Sequence, residues 1–203
     1  MHYSRQTFER FLTRDQERQL FSVIKNRSDI TARRDYAMMR LLRHSGIRVC
    51  ALVGLTVHDA RQAIRAEKLH VRKQINKGKK AYNVRLAKKG IKALKDLLAI
   101  RKELQFADDL SAPLLMSRQQ GKGLSIRSAQ ARIKYWREMS GLSVAVSAHW
   151  FRHTFAQRIV ETSTARDPLS VAMVQLGHSD IKSTMIYTLP THEEIDESMR
   201  LQG

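Results

Sequence analysis

His149, Arg152, His178 and Tyr187 stand toward the end of this chain, in the segments HWFRHTFA and LGHSDIKSTMIYT. His149 and Arg152 are three residues apart, so on a helix they share a face and can direct two cationic donors at one anion. Trp150, Phe151 and Phe155 would bury the rest of that helix. Asp167 and Pro168 form a helix start, a cap followed by a residue that needs no amide partner, and Gly177 forms a stop. His178 is therefore expected just past a helix end, exposed and held by short connections. From Asp180 a second short helical stretch turns Ile181, Met185 and Ile186 inward and leaves Tyr187 near its end, before Pro190 stops it. A lone tyrosine at such spacing is commonly a core residue with a satisfied hydroxyl, but a phenol can also serve as an oxygen nucleophile, and attack by oxygen on a phosphodiester builds negative charge that cationic donors must meet.

Such a set needs a scaffold, and 203 residues with 42% hydrophobic content supply one packed domain. Thr13 with Gln16 makes a capping box ahead of Leu20, Phe21, Val23 and Ile24, which predicts a helix over 13–25. A second helix starts after Thr31 and buries Tyr36, Met39 and Leu42; Gly46 then permits a tight turn, and Arg48 opens a short apolar helix. An arginine among such neighbours calls for an anionic partner, either a carboxylate or a bound phosphate. From Thr56 the apolar period shifts to roughly two, with KLHVRKQ and AYNVRLA as strands around the turn NKGKK, where Gly78 supplies the positive dihedral. Residues 88–104 read as an amphipathic helix with Ile91, Leu94, Leu97, Leu98 and Leu104 on one face. After a loop over 105–124, Ser125 caps a helix that turns Ile126, Ala129, Ile133 and Trp136 inward, and Gly141 stops it. A second capping box at Thr191 and Glu194 opens an acidic final segment.

The formal charge of +18 favours a polyanionic partner, nucleic acid first and an anionic membrane surface second. Residues 61–102 hold 15 Lys or Arg against only Glu67 and Asp96, a patch more one-sided than a solvated face requires. Arg72, Lys73, Lys79, Lys80, Lys88 and Lys89 from this stretch, with Arg127, Arg132, Lys134 and Arg137 further on, are expected to follow a DNA backbone. The lysines at the hairpin tip have a second reading, as a charged edge that discourages aggregation. No run is long enough to span a bilayer, and MHYSRQTFERF lacks the apolar core of a signal peptide, so a reducing, cytoplasmic setting is expected, on the nucleoid when DNA is bound. Cys50 is the single cysteine, which excludes an internal disulfide and a Cys-based metal cluster; in VCALVGL it reads as a small core residue.

Taken together, His149, Arg152, His178 and Tyr187 resemble the signature of the tyrosine recombinase (phage integrase) family: a His-x-x-Arg box, a Leu-Gly-His box, and a nucleophilic tyrosine nine residues after that last His. The resemblance extends from Phe11 to about Pro190. It aligns Arg48, in Gly46-Ile47-Arg48, with the family's first catalytic arginine, and Lys77 with a catalytic lysine in a Lys-Gly turn, with Lys79 as the fallback. It implies a mainly helical α+β fold with a small antiparallel sheet and hairpin. It also implies that Arg48 and Arg152 clamp the phosphate, that His178 adds a donor, and that His149 takes the phenol proton or bonds a phosphate oxygen. Lys77 would protonate the leaving 5′ oxygen and Tyr187 would carry the DNA as a 3′-phosphotyrosine ester. No metal or other cofactor is implied.

Three departures stand out. Ala51 occupies the place, three after the first arginine, where the family often has an acidic residue to orient it; Trp150 follows His149 where aspartate is common; and the usual N-terminal core-binding domain is not seen ahead of the catalytic domain, giving one domain over 1–203. The expected activity is site-specific cutting and rejoining of double-stranded DNA by several protomers, a tetrameric synapse in the family, with accessory DNA-bending proteins as further partners. The final segment, 191–203, would be exchanged between protomers. A type IB-like topoisomerase and a non-catalytic DNA-binding descendant are the alternatives.

Overall fold

Side-chain caps at Thr13, Asp29, Thr56, Ser125 and Asp167 mark where helices of this protein begin. In the computed structural model, which describes residues 10–117, 122–178 and 197–201, Thr13 and Gln16 form the reciprocal capping box of α1 (Arg14–Lys25). Asp29 caps α2 (Ile30–Ser45), a start just before the one expected after Thr31. Arg48 is the N-cap residue of α3 (Val49–Val53). Two strands follow α4 (Val57–Ala66), β1 (Lys68–Val71) and β2 (Tyr82–Arg85), and then come α5 (Lys88–Glu103), α6 (Ile126–Met139), α7 (Ala148–Thr162) and α8 (Pro168–Leu176). The fold is thus mainly helical with a small two-stranded antiparallel sheet among the described residues, as expected.

Helix α2 is the axis of the molecule, packing against α1, α5, α6 and α7. Met38, Met39, Leu41 and Leu42 are fully buried along it, so it presents apolar side chains on more than one face. Asp35, also fully buried, ties α2 to α6 by accepting from Arg34, Arg132 and the Trp136 indole. Three donors on one carboxylate offset the cost of removing its charge from water. Helix α7 also packs against α2, and α8 packs against α7.

Several local expectations differ from the structure. Residues 57–66 are helical rather than strand-like, because Thr56 and Asp59 form a capping box and Val57, Ala60 and Ala63 bury one face at a spacing of three. The strands are only four residues each, paired Lys68↔Arg85 to Val71↔Tyr82, so the turn spans 72–81. Within it the left-handed residue is Lys79, at φ 51°, and not Gly78. Ile126 and Leu104, expected inward, are both 42% exposed at helix ends, and Cys50 is only partly buried. No helix among the described residues is long and apolar enough to cross a membrane.

Candidate active site

The site is assembled around the Arg152 side chain, which is 1% exposed. Its Nη1 donates to the Gly46 carbonyl and its Nη2 to the Leu176 carbonyl, each at 2.7 Å. Gly46 ends α2 and Leu176 ends α8, both followed or formed by a residue in the left-handed conformation. Helix ends leave carbonyls without intrahelical partners, and a planar guanidinium can satisfy two at once in fixed geometry. One buried side chain therefore joins α2, α7 and α8 where the sequence boxes meet. Arg48 follows Gly46 by two residues, and His178 follows Leu176 by two.

The hairpin is fastened to the same place from two sides. On the strand side, the Arg85 amide donates to Gln175 Oε1 at 3.0 Å, and the Tyr82 ring lies against Gly177, whose positive φ of 61° and missing side chain allow that approach. On the turn side, Arg72 donates to the Gly54 carbonyl at 3.0 Å and to Asp59 at 2.9 and 3.1 Å. Asn76 is buried; its Oδ1 accepts from Arg48 Nη1 at 3.3 Å and its Nδ2 donates to the Lys80 carbonyl at 2.6 Å. Lys77, the next residue, is exposed beside it.

Electrostatics show that these side chains share one environment. His149 keeps an exposed edge, yet crowding by protein lowers its pKa, and the Arg152, Arg48, Arg10 and Lys77 cations lower it further. Burial, then Arg152, Arg48 and His149, bring His178 down to about 4. His153, packed edge-on against His149 with ring centroids 4.4 Å apart, is lowered to about 3, first by burial and then by His149 and Arg152. All three imidazoles are thus neutral at pH 7, within reach of several fixed positive charges. A neutral imidazole can accept a proton, and a phosphate entering this field would meet donors already oriented.

The structure brings together Arg48, Lys77, His149, Arg152 and His178. Tyr187 lies outside the described residues, as do the short helix expected from Asp180, the stop at Pro190 and the capping box at Thr191. His178 is half-buried rather than exposed, because the turn closed by its amide on the Met173 carbonyl holds it against the arginines. Among the expected DNA contacts, Arg72 is held by Asp59 and Gly54, and Arg132 by Asp35 with its guanidinium over the Tyr135 ring at 4.6 Å. Lys73, Lys79, Lys80, Lys88, Lys89 and Arg127 are exposed, whereas Lys134 and Arg137 are drawn toward Glu138. Sequence reasoning passed over His153, although its spacing of four from His149 places both on one helical face. It also passed over Asn76, whose partner is 28 residues away and leaves no local signal. Among the described residues no group of His, Cys, Asp or Glu could hold a metal ion.

Residues 10–194 match the phage integrase family, and the chain belongs to it. Tyrosine recombinase XerC of Shewanella amazonensis is 35% identical over 160 residues, 79% of this chain and 50% of the relative. XerC of Neisseria meningitidis is 36% identical over 160 residues, 79% of this chain and 49% of the relative. The chain thus spans about half the length of the curated relatives it matches. In fold it is similar to the crystal structure of XerA recombinase, with a TM-score of 0.73 over 95% of this chain and 65% of the other, at 23% identity. It is also similar to XerH site-specific recombinase bound to its difH substrate in a pre-cleavage complex, with a TM-score of 0.68 over 95% of this chain and 54% of the other, at 19% identity.

Proposed function

We propose that this chain cuts and rejoins double-stranded DNA at specific sites through Tyr187. The phenol oxygen attacks the scissile phosphorus, its proton passing to His149. The bond from phosphorus to the 5′ oxygen breaks as Lys77 protonates that oxygen, leaving a 3′-phosphotyrosine ester and a free 5′ hydroxyl. Arg48, Arg152 and His178 meet the charge on the non-bridging oxygens. The ester retains the energy of the cut bond, so a different 5′ hydroxyl can reverse the step and exchange strands.

The observation that carries this reading is the convergence of Arg48, Lys77, His149, Arg152 and His178, drawn from four separate segments, around neutral imidazoles in a cationic field. The net charge of +18 supports a DNA partner. Exposed Lys73, Lys79, Lys80, Lys88, Lys89 and Arg127 are the proposed backbone contacts. We extend the reading to assembly of several protomers on DNA, a tetramer at synapsis, with the acidic segment after Pro190 docking on a neighbouring protomer and accessory DNA-bending proteins assisting. A nicked suicide substrate tests the chemistry: wild type should accumulate a covalent protein–DNA adduct, whereas Tyr187→Phe should bind DNA and form none. Adduct formation by the Phe variant would place the nucleophile elsewhere. Relaxation of supercoiled DNA lacking any special site would instead favour a topoisomerase.

A further inference from the structure

Arg48 pairs with no carboxylate among the described residues, and the side chain one helical turn along at Ala51 is a fully buried methyl group. An unsupported guanidinium on a flexible stem samples many orientations, and a clamp that must meet a phosphate in one geometry loses rate by doing so. The partner it does have is Asn76 at 3.3 Å, only 5% exposed. We propose that Asn76 is the positioning residue for Arg48, holding its guanidinium in register with the turn that carries Lys77. The inference rests on the strand-cleavage reading above.

The orientation of the Asn76 amide is fixed by its two partners. The Lys80 carbonyl can only accept and Arg48 can only donate, so Nδ2 faces the former and Oδ1 the latter. The same residue's backbone carbonyl accepts from the Lys79 amide at 3.0 Å, closing the turn on itself. Ile75, immediately before it, packs against Gly54 at the end of α3, and Arg72 bonds the Gly54 carbonyl. The turn is therefore anchored to α3 at three successive points, of which Asn76 is the one that touches the phosphate clamp. Because an amide does not titrate, its hold on Arg48 is insensitive to pH, unlike that of a carboxylate.

A suicide substrate whose leaving 5′ oxygen is replaced by sulfur removes the need for Lys77, since a thiolate departs unprotonated, and so isolates the effect on Arg48. On it, Asn76→Ala should form adduct about 100-fold more slowly than wild type. Asn76→Asp, which keeps an acceptor facing Arg48 but loses the donor to Lys80, should stay within about tenfold of wild type. Wild-type rates for Asn76→Ala would overturn the proposal, as would an Asp variant as slow as Ala. Side-chain NMR of the Arg48 guanidinium gives a second readout independent of chemistry: slowed rotation in wild type and Asp, averaged signals in Ala. If wild type forms no adduct at all, the cleavage reading fails, while the NMR comparison still supports or overturns the positioning role.

Discussion

Arg152 Nη1 meets the carbonyl of Gly46 at 2.7 Å across 106 residues of sequence. This bond, with its twin to Leu176, builds the proposed phosphate clamp into the structural frame. Removing the guanidinium leaves two buried carbonyls unmet, at roughly 1–3 kcal/mol each. Arg152→Ala should therefore lower the melting temperature by several degrees, at about 2–4 °C per kcal/mol for a domain of this size. Arg152→Lys should retain part of that stability but form adduct about 100- to 1000-fold more slowly, because an ammonium lacks the planar fork. A melting temperature unchanged in Arg152→Ala would mean the two helix ends are held by something else.

Lys77 is exposed at the turn anchored by Asn76. Under the proposed role of Lys77 as the acid that protonates the leaving oxygen, Lys77→Ala should slow cleavage about 100-fold or more on ordinary DNA. A sulfur-substituted leaving group should restore most of that rate. Equal defects on both substrates would refute the role, and the same pair with Lys79→Ala tests the neighbouring lysine.

The basic side chains divide into structural and free ones. Arg72→Ala and Arg132→Ala break partly buried ion pairs with Asp59 and Asp35, so they should reduce thermal stability. Lys79→Ala and Lys80→Ala should leave stability nearly unchanged and weaken DNA binding. Each should also reduce the salt dependence of log affinity by about 0.9 per lost phosphate contact. A salt titration of wild type and variants on one duplex checks this; a slope near zero in wild type would mean the charge serves another partner.

The imidazoles give a pH dependence of definite sign. His178 and His153 have folded-state pKa values near 4 and 3, below the ordinary 6.5, so between those limits the unfolded chain binds more protons. Stability should be at its full value above about pH 6.5 and fall as pH drops toward 4. Under the proposed mechanism cleavage should follow, with its acid limb below the ordinary histidine value, since a His149 that accepts the phenol proton must be neutral and its own pKa is lowered. Thermal melts and single-turnover rates from pH 8 to 4 measure both; stability that rises on acidification would contradict the buried, neutral state of these rings.

Sequence alone was enough where the determining interactions are local. The caps at Thr13, Ser125 and Asp167, the stop at Gly177 and the helical spacing of His149 and Arg152 depend on neighbours within four residues, and the structure has each of them. The family motif was likewise legible, because each of its boxes is a short run of neighbouring residues. The period over 57–66 misled, since small residues such as Ala60 and Ala63 give a weak apolar signal that the Thr56 and Asp59 box outweighs. Tertiary structure decided the partners of each charge. Arg72 and Arg132 look like any other basic residue until Asp59 and Asp35 are found beside them, 13 and 97 residues away. Arg48 looks unsupported beside Ala51 until the chain returns and sets Asn76 against it. An ion pair or hydrogen bond between distant segments has no periodicity, so only the packing of the helices brings it about.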